Sequence, residues 1–80
     1  MNIKGLESRL ISENIRKDIY SLNGGFPNEA YCISQNNREW EVYYSERGNK
    51  SGLRIFQSEE EACQYFYDLL IETLKDMGLY

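Results

Sequence analysis

The residue types best able to do chemistry fall in one run, Glu39-Trp40-Glu41-Val42-Tyr43-Tyr44-Ser45-Glu46-Arg47-Gly48. Glu39, Glu41 and Glu46 could in principle supply a carboxylate pair of the kind that glycosidases use as acid and base. Alternate residues of a strand point the same way by geometry, however, so a solvated acidic face explains the same spacing more simply. Arg47, next to Gly48, reads either as a turn residue paired with a nearby carboxylate or as a planar, permanently charged donor for carboxylate or phosphate. The chain has no His, which removes the commonest general base and the usual partner of a Ser or Cys nucleophile. There is no Walker-type phosphate loop and no dinucleotide fingerprint, and Gly24-Gly25 is a turn signal only. The expectation is a binding surface without catalysis and without a cofactor.

Cys32 and Cys63, the only cysteines, cannot complete a structural zinc site in a chain without His. A disulfide between them is geometrically possible but not implied, and they read as core thiols behaving as small hydrophobes.

Composition narrows the class. Eighty residues make one domain, and a domain of that size buries only about 60% of the surface its unfolded chain exposes. Little room is left for a deep cleft beside the core, which disfavours a small-ligand or enzymatic domain; a cavity lined by Glu and Arg would revive that reading. Nine basic against thirteen acidic residues leave a net charge of −4, which repels phosphate backbones and favours a basic partner. Tyr31, Trp40, Tyr43 and Tyr44 could stack on bases, but acids rather than Lys and Arg interleave them, so direct nucleic-acid binding is not expected. No segment approaches the roughly 20 apolar residues of a membrane span, and no signal-peptide run opens the sequence, so the expected location is cytoplasmic.

The elements that must position this run follow from periodicity. Ser58 followed by Glu61 is a capping-box pattern, and Ala62, Phe66, Leu69, Leu70, Thr73, Leu74 and Met77 then recur at helical spacing before Gly78 offers a left-handed stop. Residues 31–35 and the run from Glu39 predict a hairpin turning at Asn36-Asn37. In the second strand Trp40, Val42 and Tyr44 share a core face, with Glu39, Glu41 and Tyr43 on a face left to solvent or partner. A polar loop over residues 47–52 leads to a third strand at residues 53–56. Upstream, a helix over residues 6–17 and an added strand over residues 18–22 are preferred to one long helix reaching Leu22. The fold class is α+β: an N-terminal helix, a three- or four-stranded antiparallel meander, and a C-terminal amphipathic helix packed on one sheet face.

The run Glu41-Val42-Tyr43-Tyr44-Ser45-Glu46-Arg47-Gly48, with Phe56-Gln57-Ser58-Glu59 and Glu61-Ala62-Cys63 after it, resembles small immunity proteins of bacterial polymorphic toxin systems, in particular the immunity protein 59 family. The likeness covers about residues 20–70. It implies a cytoplasmic antidote that binds a cognate toxin domain and blocks it without catalysis. If that toxin is a nuclease with a basic substrate groove, an acidic inhibitor can imitate phosphate charge and be steered to it. Glu39, Glu41, Tyr43, Glu46 and Arg47 are then the expected contacts, Tyr43 as anchor and the acids as steering charges. The rival expectation is a regulatory or adaptor module that binds a host protein through a sheet edge or through Tyr65 and Tyr67. Neither reading sets the oligomeric state.

Overall fold

A computed structural model describes all residues, 1–80. Helix α1 (Ile3–Ser12) and a short 3-10 turn (Lys17–Ile19) precede strands β1 (Tyr20–Ser21), β2 (Ala30–Asn36), β3 (Glu39–Glu46) and β4 (Asn49–Phe56), and helix α2 (Glu59–Asp76) closes the chain. The α+β class holds, with four strands in the order β1-β2-β3-β4.

Helix α1 starts earlier and ends sooner than its apolar spacing predicts. Asn2 caps it, its Oδ1 accepting the Gly5 amide at 2.8 Å, and Asn14 ends it in the left-handed region at φ 57°. The Ile15 amide then returns to the Leu10 carbonyl at 3.0 Å, the six-to-one bond of a Schellman stop. Leu6 and Leu10 are fully buried while Ile11 is half exposed, and the apolar residues expected to extend the helix, such as Ile15, belong to the chain leaving it.

Helix α2 matches its signals more closely. Ser58 Oγ accepts the Glu61 amide at 3.0 Å, although Glu61 does not return the bond that would complete a capping box. Glu59 instead accepts the Ile3 amide at 2.8 Å, tying the two helix starts together. The buried stripe is Ala62, Cys63, Phe66, Tyr67, Leu70, Ile71 and Leu74. It is rotated from the expected one, leaving Leu69 and Thr73 half-buried and Met77 exposed. Gly78 provides the left-handed stop at φ 72°, with the Leu79 amide on the Leu74 carbonyl at 2.8 Å.

The core lies between this stripe, Leu6, Leu10 and Ile15, and the sheet residues Ile33 and Val42. Trp40, expected in the core, packs against it from a half-buried position.

The sheet is mixed, where an antiparallel meander was expected. β2–β3 and β3–β4 are antiparallel, but β1 runs parallel to β2, with Tyr20 opposite Tyr31 and Ser21 opposite Cys32. A parallel neighbour obliges the chain to travel back along the sheet before re-entering it. Residues 22–29 make that return, and Gly24, Gly25 and Phe26 among them lie on the face opposite the helices, against Ser34, Tyr43 and Lys50.

Both hairpin turns have two residues. Asn37 takes a positive φ of 60° in the first, one position beyond the start expected at Asn36. In the second, Arg47 and Gly48 both lie in the left-handed region at 50° and 76°, a type I′ arrangement. The loop expected over residues 47–52 is therefore mostly strand. Gly52, at φ 63°, marks a bulge where Gly52 and Leu53 oppose Tyr43 and the register shifts.

Candidate functional site

The alternation along β3 is as its sequence predicts, but its two faces have different fates. Val42 turns to the helices and is fully buried, flanked on that side by half-buried Trp40 and Tyr44. The other face carries Glu39, Glu41, Tyr43 and Ser45. Over it runs the return segment: a Cβ placed on Gly24 would stand 2.7 Å from Ser34 Cβ and 3.4 Å from the Tyr43 hydroxyl. Backbone that close to a sheet requires glycine.

Tyr43 is accordingly 2% exposed, and its hydroxyl donates to the Gly25 carbonyl at 2.8 Å. Burial, with the Cys32 thiol beside it, pushes the Tyr43 phenol up to about 12. This corrects the expectation of a solvent-facing anchor. Glu41 is also covered, its Oε2 accepting Lys50 Nζ at 3.1 Å. The Lys50 ammonium lies 4.8 Å from the Tyr43 ring centre and 5.8 Å from that of Phe26, so it caps the buried tyrosine.

Glu39, Glu46 and Arg47 remain exposed. Glu39 accepts Gln57 Nε2 at 3.1 Å, Glu46 ends the strand, and Arg47 sits in the turn beyond it. Glu39 and Glu46 lie at opposite ends of an eight-residue strand, roughly 23 Å apart at the usual rise. The five expected contacts thus divide into a buried pair, Glu41 and Tyr43, and exposed groups at the two ends of the ribbon. They do not form one acidic face.

The same geometry lengthens the expected third strand into an exposed edge. β4 has a partner on one side only, and every residue from Asn49 to Ile55 is exposed. Leu53 and Ile55, 43% and 46% exposed, project on the sheet face opposite the helices, and Phe26 from the return segment is 60% exposed beside Lys50. Arg54 faces the other way, its guanidinium 5.2 Å from the Tyr65 ring centre. Leu53 and Ile55 mark the second half of this strand in the sequence, as expected for residues 53–56, whereas its polar first half, residues 49–52, carries no apolar alternation.

A second feature lies at the far end of the sheet, where a domain of this size was not expected to hold a cavity. A recess of about 380 Å³ opens between the C-terminal end of α2, the 3-10 turn and the first residues of β2. Leu70 and Leu74 form part of its apolar lining, Tyr31 and Tyr44 lie on the sheet side, and Glu13, Arg16 and Glu29 bring charge. Glu13 is fully engaged: it accepts the Tyr67 hydroxyl at 2.8 Å, the Tyr80 hydroxyl at 2.7 Å and Arg9 Nε at 3.0 Å. Those bonds, that from Tyr80 foremost, hold its carboxyl below the usual range. Arg16 is locked to Asp18 through two bonds, at 2.6 and 3.1 Å.

Cys32 and Cys63 are both buried free thiols. Cys32 shares the Tyr43 face while Cys63 lies in the helix core, so the sheet separates them. No helix is long and apolar enough to cross a membrane. The chain matches no family model, no curated protein and no solved structure.

Proposed function

We propose that this protein binds and neutralises a partner toxin domain without catalysis of its own, as the small immunity proteins that its sequence resembles do. The observation that carries the proposal is the free edge of β4: eight residues of strand with one side unpaired and Leu53 and Ile55 standing exposed. Natural sheets shield such edges or use them, since their unpaired amides and carbonyls accept another chain as an added strand. Here Lys50 is drawn onto Glu41 and Tyr43, leaving the apolar pair clear.

The roles expected for the acidic run are redistributed accordingly. Leu53, Ile55 and Phe26 supply the apolar contact. Glu39 and Glu46, exposed at the two ends of β3, act with the net charge of −4 to steer a basic partner such as a nuclease domain. Arg47 offers a guanidinium from the turn. Tyr43 and Glu41 work from beneath, Tyr43 holding the return segment against the ribbon and Glu41 holding Lys50. On this reading the pair meets in the cytoplasm.

The test is growth of cells expressing the C-terminal domain of the neighbouring gene's product, with and without this protein, followed by co-purification. Killing that is relieved by a stoichiometric complex supports the proposal. Replacing Leu53 and Ile55 together by Thr, which keeps strand propensity, should then weaken the complex about tenfold or more. A harmless neighbour, or killing without relief, overturns the toxin assignment and redirects the β4 edge to a host-protein adaptor role.

A further inference from the structure

We infer that the recess at the end of α2 is a binding site for a small organic cation, an ammonium group carried on an aromatic or aliphatic body. None of the residues lining it belongs to β4, so the site is separate from the edge assigned to a protein partner. Its volume, about 380 Å³, lies in the range that accommodates small ligands rather than single waters. Ile19, Leu70 and Leu74 provide an apolar bed for the body.

The charge of the ligand follows from which polar groups are free. Arg16 is the only cation in the lining, and its guanidinium is held by both oxygens of Asp18. Glu13 is neutralised by Arg9 and saturated by two phenols. Glu29 is different: exposed in the turn before β2, it lines the rim of the recess with neither an ion pair nor a hydrogen bond to its carboxylate, so it is the one charged group of the lining left free for a ligand.

Aromatic faces complete the preference. Tyr31 and Tyr44 lie together, ring centres 4.7 Å apart and planes inclined at 55°, and exposed Tyr80, bonded to Glu13, also lines the recess. Rings of this kind attract ammonium groups through their negative faces. Tyr44 is pushed up first by burial and then by the charges of Glu29 and Glu46, in keeping with a locally negative field.

The test uses three probes of one shape: 2-phenylethylammonium, neutral 2-phenylethanol and anionic phenylacetate, titrated into the folded protein while the Leu and Ile methyl resonances are followed. The cation should move Leu74 and Leu79 and leave Leu53 and Ile55 still. It should bind about tenfold more tightly than the alcohol, with the anion weakest. Glu29→Gln, in a solvent-exposed segment, should sharply reduce the difference between cation and alcohol while leaving alcohol binding in place. The inference is overturned if no probe moves the recess residues, if the alcohol or the anion equals the cation, or if Glu29→Gln leaves the preference intact.

Discussion

The Tyr43 hydroxyl donates to the Gly25 carbonyl across 2.8 Å, joining residues 18 apart in sequence. The bond pins the return segment to the middle of β3. Tyr43→Phe removes it and leaves the carbonyl to find another donor, so it should lower unfolding free energy by about 1 kcal/mol in urea titration. Tyr43→Ala adds the loss of a buried ring, for a total of about 3–5 kcal/mol. Tyr43→Phe should leave partner association unchanged; a binding defect at intact stability would return this ring to the interface.

The same junction rests on Gly24. An added methyl would meet Ser34 Cβ at 2.7 Å, in a backbone held at φ 69°, so Gly24→Ala should destabilise by about 2 kcal/mol or more. Gly25 has φ 82° with open space around the would-be Cβ, so Gly25→Ala carries only the conformational term, about 1 kcal/mol. Equal losses at the two positions would show that the close approach to β2 contributes nothing.

How far such features can be read from sequence depends on their range. The Ser58 cap, the Gly78 stop and the alternation along β3 are local properties of a few residues, and each appears where its signal lies. Asn2 and Asn14, which bound α1, carry equally local signals, but apolar residues continue past Asn14 at Ile15, Ile19 and Leu22 and carry the helical reading beyond it. The face of Tyr43 is another matter. Alternation says that Glu39, Glu41 and Tyr43 point together, but it cannot say that a parallel β1 will send the chain back over them. The type I′ turn was hidden for a related reason: Arg47 is a costly residue in the left-handed region, so the polar segment around it resembled a longer loop. Of the five expected contact residues, the two that moved under cover are those nearest the crossing chain.

Ser45 is fully buried and its hydroxyl has no hydrogen-bond partner. Deleting an unpaired buried hydroxyl removes a desolvation penalty at the expense of few contacts. Ser45→Ala should therefore be neutral or stabilise the protein by up to about 1 kcal/mol, read as a higher urea midpoint at unchanged slope. A loss of 1 kcal/mol or more would reveal a partner for the hydroxyl.

The ribbon's ends give a kinetic prediction. Glu39 and Glu46 are exposed, whereas Glu41 is tied to Lys50, so charge reversal at the first two changes the field without breaking a buried pair. Glu39→Lys with Glu46→Lys should slow association with a basic partner and flatten its salt dependence, leaving dissociation nearly unchanged. Glu41→Lys should instead cost folding stability. An association rate indifferent to Glu39 and Glu46 would remove electrostatic steering from the account of the complex.

The Glu13–Tyr67 contact should shape stability at both ends of the pH scale. Its hydrogen bond helps lower the Glu13 carboxyl and, after burial, is the next cause raising the Tyr67 phenol. A carboxyl lowered in the folded state stabilises fully above its unfolded pKa, about 4.3, and that contribution drains away as pH falls through the folded value. A raised phenol acts in the opposite sense: its contribution is complete below about 10 and is lost as pH rises beyond it. Tyr43, at about 12, and Cys63, pushed to about 11 by burial and then by Glu59, add to the alkaline loss, which begins near the thiol's ordinary range of about 8.5. Stability should therefore be level from about pH 5 to 8 and fall on either side. Glu13→Gln should flatten the acid arm and weaken the alkaline arm, because one substitution removes the charge that both groups share. Tyr80→Phe, which takes away the first cause of the lowered Glu13, should blunt the acid arm in part. Urea midpoints measured across this range decide it: an acid arm unchanged in Glu13→Gln would mean that other carboxylates govern acid unfolding.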